Sequence, residues 1–453
     1  MTCSGRIGLA YQATDSLVVR SGFAILYPAT ANLQQSSQPY NSAINTAITI
    51  LNATTEPVNS FSYPFPGGIL QPVGRSSNYQ SVIEGQSVLV NQPHEPATYV
   101  EQWNLDIQQD LGHQTVMEIA YVGDHGLHQQ LAATSYAAAL DQIPDQYLSM
   151  GSALLTPVPN PFHGLITSGN LAGATIPAGQ LLRPYPQYFN VLNAADVAGS
   201  SNYNALQAKV EKRISQGGTV LGSYTWGRNM GTAETQHGST EAHAPGFVQD
   251  WYNLRAEYSQ LSYNLPHHFV AGYVLDLPVG RGKRYLANES GILDKAVSGW
   301  GVDGITTYAM GFPLIFTAQP TYISQSLGAG TPRPNVVAGC NKGVSGGVAS
   351  KLTRWFNTSC FTQPSNYGFG NEPRVDSMRS QGIANWDAAL FKGTALTEKL
   401  NLQFRAEVFN LFNRVQFGQP NTTCCSTTNA SFGLISSQLN APRQIQFALK
   451  RSY

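Results

Sequence analysis

Segments with a two-residue apolar period recur along this chain, and the connections between them alternate between a few residues and several tens. No other feature narrows its fold as much. In "LVVRSGFAILY", Leu17, Val19, Phe23, Ile25 and Tyr27 fall on one face of a pleated strand, and Val18, Arg20, Gly22 and Ala24 on the other. A stretch rich in Asn, Gln, Ser and Pro then runs to the mid-nineties, where "TYVEQWNLDIQQD" begins. There Tyr99, Trp103, Leu105 and Ile107 oppose Gln102, Asn104, Asp106 and Gln108. Leu111-Gly112-His113 turns this segment directly into "QTVMEIAYVG", after which a second long excursion follows.

The same rhythm continues to the end. "YNALQAKVEKRISQGGTVLGSYTWGRN" reads as a hairpin about Ser215-Gln216-Gly217-Gly218, because glycine reaches positive φ without steric cost. Further strands are predicted over 256–263, "HFVAGYVLDLP", "WGVDGITTYA", "PLIFTA", "IANWDAALFKG", "LNLQFRAEVFN" and the terminal "RQIQFALKRSY", with "QYFNVLN" at 187–193 as one more possibility. That makes about 13 strands. Structureless connections of several tens of residues count against a compact soluble domain. They fit a transmembrane β-barrel, with short turns on the periplasmic side and long extracellular loops. Closure is obligatory there, since an open edge in hydrocarbon leaves backbone groups unpaired.

Composition agrees. Only 11% of the 453 residues are charged, against about 25% in an ordinary soluble protein. The net charge of +0 leaves no footprint for nucleic acid. Low charge with many aromatics also suits a secreted all-β protein. In the barrel reading the polar strand face lines the lumen, with Asp106, Gln108, Glu118, Lys209, Glu211, Arg405 and Glu407 as candidates. Trp103, Tyr224, Trp226 and Trp386 are candidates for interfacial girdles.

Several phrases in order carry a family resemblance: "YNALQAKVEKRISQGGTVLGSYTWGRNM", "NLRAEYSQLSYNLPHHFVAGYVLDLPVGRG", "RWFNTSCF" with "GNEPR", "NWDAALFKGT" and "LQFRAEVFNLFNRVQFGQPN". Together they resemble the C-terminal barrel half of Oar-like TonB-dependent outer-membrane transporters, a family abundant in Acidobacteria. The resemblance implies a carboxypeptidase-regulatory-like domain, a plug and a barrel of roughly 22 strands. Residues 1–453 read as the C-terminal part of such a barrel, with no plug, regulatory-like domain, TonB box or signal peptide visible. An odd strand count and a start inside a strand, "SGRIGLAYQ", support that expectation. The implied localisation is the bacterial outer membrane. The implied partners are outer-membrane lipid, the barrel assembly machinery and, through a plug, TonB.

The resemblance also gives the chain's last strand a role. Ile445, Phe447, Leu449 and Tyr453 resemble the C-terminal signal that the assembly machinery reads; Arg451 departs from it. Any buried edge strand would alternate in the same way.

Other candidates are weaker. Cys3, Cys340, Cys360, Cys424 and Cys425 include no CxxC pair, so a zinc or redox motif is not expected. Cys340 and Cys360 can form a disulfide or remain two thiols; Cys424 and Cys425 can bridge each other or bond elsewhere. His237, His243, Glu234 and Glu241 match no closed ligand set, and His267-His268 is predicted to cap the periplasmic rim. "GRGKRY" lacks a full phosphate-binding loop, and "HGSTE" lacks a nucleophile elbow. No enzyme, metal or cofactor is expected. Two function classes follow: a transport-associated outer-membrane barrel whose substrate is unreadable, or a secreted or surface-exposed β-rich binding or adhesion protein.

Overall fold

A computed structural model describes residues 4–27, 62–63, 84–90, 96–129, 131, 138–166, 169–193, 197–215, 217–233, 248–397, 400–426 and 430–452. Eleven long strands follow one another in chain order across a single sheet: β1 (Arg6–Thr14), β2 (Leu17–Leu26), β3 (Tyr99–Gly112), β4 (Thr115–Gln129), β5 (Gly199–Arg213), β6 (Gly218–Gly231), β7 (His267–Asp276), β8 (Trp300–Ala309), β9 (Ile383–Thr397), β10 (Leu400–Phe409) and β11 (Gln444–Ser452). Every neighbouring pair is antiparallel. A twelfth, two-residue strand, Ser259–Gln260, pairs only with the far end of β6. Among the described residues β1 and β11 do not pair with each other. No described helix is long and apolar enough to cross a membrane.

Because consecutive strands reverse direction, alternate connections lie at opposite ends of the sheet. The short turns β1–β2, β3–β4, β5–β6 and β9–β10 share one end with the β7–β8 connection, residues 277–299, which holds the short helix Gly291–Val297, and the five longest connections share the other. Strands of 9 to 15 residues match the length a tilted strand needs to cross the hydrocarbon layer.

Register carries one face unbroken across the sheet. Tyr11, Val19, Ile107, Ile119, Ala208, Tyr224, Phe269 and Tyr308 are successive cross-strand partners. One residue along, the row is Gln12, Val18, Gln108, Glu118, Lys209, Ser223, Val270 and Thr307. The first face bears exposed apolar side chains from end to end, including Leu9, Tyr11, Leu105, Ile107, Tyr121, Leu206, Trp226, Phe447 and Leu449. Such a contiguous greasy wall is not a surface that a soluble monomer leaves bare. Among the described residues nothing packs over it, and the buried clusters lie in the long connections.

Two predicted strands are not strands of the wall. Residues 256–263 contribute only Ser259–Gln260, so 231–267 is one long connection and His267-His268 opens β7 at the long-connection end. "PLIFTA" forms only isolated bridges, Pro313 to Arg379 and Thr317 to Thr423, and its Leu314 and Phe316 sit in a buried core. Of "QYFNVLN", Asn190–Asn193 is a short strand in a separate small sheet with Ser87–Val90 and Ala138–Ala139. Removing the first two from about 13 leaves the eleven long strands seen.

Candidate functional site

The polar wall collects most of the ionisable residues of the strands. Arg20 donates to Gln108 at 2.8 Å and lies 3.4 Å from Asp106, its cross-strand partner. Gln108 faces Glu118, and Glu118 faces Lys209. With Glu211 and Arg213 these side chains line a pocket next to the short turns. At the other side of the sheet Arg405 reaches both oxygens of Asp303, at 3.0 and 3.1 Å, and bonds Glu407 at 3.0 Å. Gln446 also donates to Glu407. Thus Asp106, Gln108, Glu118, Lys209, Glu211, Arg405 and Glu407 share one face, in two groups. Cations on the apolar face stand toward the strand ends: Lys212, Arg228, Lys392 and Arg451. Lys392 lies over the Trp300 ring and donates to the Ser298 carbonyl at 2.7 Å, beside the short-turn rim.

Ile445, Phe447 and Leu449 stand on the apolar face, opposite Val408, Ala406 and Phe404. Tyr453 lies outside the described residues, as do Cys3, Glu234, His237, Glu241 and His243. Trp103, Tyr224, Trp226 and Trp386 all lie on the apolar face toward the long-connection end. Gly123 makes room for Trp103: a Cβ there would lie 2.4 Å from the indole. Tyr224 is hydrogen-bonded to His267 at 2.7 Å, which places that histidine in the same aromatic band.

At the other end, the long connections fold together into a cap with its own interior. One core holds Leu314, Phe316, Phe356, Cys360, Phe361 and Cys424; another holds Ile143, Leu154, Ile323, Leu327 and Ala329. In a segment this polar, buried charge does the cross-linking. Arg333, from the β8–β9 connection, makes a two-pronged bond to Glu257 of the β6–β7 connection, at 2.7 and 3.1 Å, both side chains buried. Arg374 is 1% exposed and donates to the carbonyls of Glu257 and Gly231, each at 3.0 Å. Arg183 is paired with Asp141 at 2.5 Å, and Gln142 ties that connection to Asp250 at 2.7 Å. The phrases "RWFNTSCF" and "GNEPR" supply this cap's aromatic core and charged struts.

Cys340 is disulfide-bonded to Cys360, and Cys424 to Cys425. The first bond closes 20 residues beside the aromatic core. Its reduction is expected to cost the cap about 3 kcal/mol, read as faster amide exchange at Phe356 and Phe361 with the strands unchanged.

Lys342 joins the Cys340 segment to two buried carboxylates. It donates to both oxygens of Glu372, at 2.9 and 3.1 Å, and to Asp376. Burial pushes the Glu372 carboxyl up to about 8, and the adjacent Asp376 adds to the rise against the pull of Lys342. Burial would raise Asp376 too, but bonds from Glu372, Lys342 and the Met378 N–H hold it below the ordinary carboxylate range. Glu372 therefore binds its proton more tightly folded than unfolded, so its contribution is full below the unfolded value and fades as pH rises through 8. Cap protection against amide exchange is expected to increase from pH 8.5 to pH 5.5, and Glu372→Gln to flatten that dependence.

Residues 1–446 match the family described as outer membrane beta barrel domain, and the chain belongs to that family. It is a β-barrel protein of the bacterial outer membrane. Among solved structures it is similar to the outer membrane transporter YddB from Escherichia coli, at 8% identity and TM-score 0.41, covering 97% of this chain and 39% of that one. It is also similar to the ferripyoverdine receptor of Pseudomonas aeruginosa, at 9% identity and TM-score 0.38, covering 99% and 32%. A third similarity is to the ferric yersiniabactin uptake receptor FyuA from Yersinia pestis, at 10% identity and TM-score 0.37, covering 99% and 37%. The chain thus spans less than half the length of each. No curated protein matches the sequence.

Proposed function

We propose that this barrel wall serves a transporter of the Oar-like TonB-dependent type, with the folded cap facing the medium and the short turns facing the periplasm. The carrying observation is the division of one sheet into an exposed apolar face and an opposed face that holds most of the charge, with the five longest connections at one end. That division is what a wall between hydrocarbon and a hydrated lumen requires. The charged groups around Arg20 and Arg405 line the lumen, where a plug would meet them; TonB coupling belongs to the plug and not to this wall. The assembly machinery reads the terminal strand through Ile445, Phe447 and Leu449, with Tyr453 following in the sequence. The protein carries out no chemistry of its own: its role is selection by the cap and passage along the polar wall.

The test is density fractionation of cells producing the protein, followed by alkaline extraction of the membranes. Recovery in the outer-membrane fraction, released only by detergent, is the expected result. Recovery in the soluble periplasm would overturn the proposal.

A further inference from the structure

The cap contains a cleft that none of the foregoing uses. Its volume is about 570 Å³, within the range of ordinary small-molecule sites. Three separate connections wall it: Leu192 from β4–β5, Val248 and Trp251 from β6–β7, and Thr317, Gln325 and Thr331 from β8–β9. The wall is built, not incidental. Gly330 and Thr331 are tied to the Gln249 and Val248 carbonyls at 2.9 and 3.0 Å, and a Cβ on Gly330 would lie 1.9 Å from the Val248 oxygen. The Trp251 backbone is held by the Gln142 side chain at 2.9 Å, next to the Gln142–Asp250 bond.

Two properties define what fits. No charged side chain lines the cleft among the described residues, so a ligand's own charge would enter without compensation. The Trp251 indole N–H, the Gln325 amide and the Thr317 and Thr331 hydroxyls make no side-chain hydrogen bond among the described residues, and so remain available. An indole offers a broad apolar face with one polar edge. Amide and hydroxyl groups around it suit a molecule with apolar ring faces and hydroxylated edges.

We propose that this cleft binds an uncharged saccharide, stacked on Trp251 and hydrogen-bonded by Gln325 and the two threonines. The inference rests on the outward-facing cap of the preceding reading and names the ligand class it would select. An anionic metal chelate is disfavoured here, because the described lining holds no cation to receive it.

The purified protein in detergent is screened against an array of neutral and acidic glycans, with ferric citrate as a separate anionic probe, and the strongest neutral ligand is measured by calorimetry. Neutral glycans are expected to bind in preference to both anionic classes. Trp251→Ala should weaken binding by about tenfold or more, and Trp251→Phe should retain most of it. Gln325→Asp should lower affinity while leaving the Cys340–Cys360 bond and cap amide exchange unchanged, which separates lost recognition from lost folding. Absence of any neutral-glycan binding, a preference for the acidic glycans or ferric citrate, or full affinity in a folded Trp251→Ala would overturn the proposal. Labelling of Leu165→Cys on intact cells by an impermeant maleimide tests orientation separately. Leu165 is 66% exposed on the cap, and failure to label there would sink the outward-facing reading whatever the glycan result.

Discussion

Replacing Ile119 by arginine is expected to destabilise the membrane-inserted protein by about 2 to 4 kcal/mol, whereas Leu221→Arg should change it by less than about 1 kcal/mol. The two side chains are nearly equally accessible, at 39% and 37%, so area alone predicts equal effects. They differ in which face they occupy. Ile119 lies between Ile107 and Ala208 on the apolar face, part way up β4 from its short turn. An arginine there would stand in hydrocarbon, too far from either interface to snorkel fully. Leu221 lies on the polar face, opposite Glu211 and Gly272. An arginine there meets water and a carboxylate. Denaturant titration of both variants in lipid vesicles measures the difference, and equal losses would mean that the apolar face does not meet lipid.

The second large effect concerns the cap. Glu257→Ala is expected to cost about 3 to 5 kcal/mol of cap stability, because it leaves the Arg333 guanidinium buried without its anion. It also removes the acceptor of the Gln249 N–H, at 3.1 Å. Gln249 in turn holds Arg333 N–H and Gly370 N–H through its own side-chain oxygen, at 2.9 and 3.1 Å, so the loss spreads to two connections. Among the described residues Glu257 is the carboxylate paired with Arg333, and the Arg333 Nε has no hydrogen-bond partner. Limited proteolysis should cut the variant in the β6–β7 and β8–β9 connections first, while the strands keep their heat-modifiable mobility on gels. Replacing both residues by apolar side chains of similar volume should recover much of the loss, since a removed pair leaves no orphan charge.

The wall was legible in the sequence because a barrel strand writes its two environments into alternate residues. Trp103, Leu105 and Ile107 against Asn104, Asp106 and Gln108 fixed both the strand and the facing of each side chain, and short turns such as 112–115 located the ends. The same signal misled where a cap segment has one buried side. In "PLIFTA", Leu314 and Phe316 alternate with partly covered neighbours and reproduce the period of a strand, yet both face an aromatic core built from Phe356 and Phe361, more than thirty positions on. Period alone cannot distinguish a loop packed on a loop from a strand packed on lipid. His267-His268 falls at the end opposite the predicted rim for the same reason, since a strand read at 256–263 reverses the direction of every strand after it until "PLIFTA" reverses it again. The cap's charged struts were out of reach altogether, because Arg333 and Glu257 are 76 residues apart and nothing local marks them as partners.

One claim supports the whole account: an antiparallel sheet stands with acyl chains on one side and water on the other. Nitroxide labels placed singly at positions 204 to 210 of β5, in bilayers, read that arrangement directly. Oxygen, which concentrates in hydrocarbon, should relax labels most at 206, 208 and 210, and a water-soluble nickel chelate should relax them most at 205, 207 and 209. The two profiles should alternate in antiphase. If they rise and fall together, or if the chelate reaches 206 and 208 as readily as 207, the apolar face is not lipid-facing and the barrel reading fails.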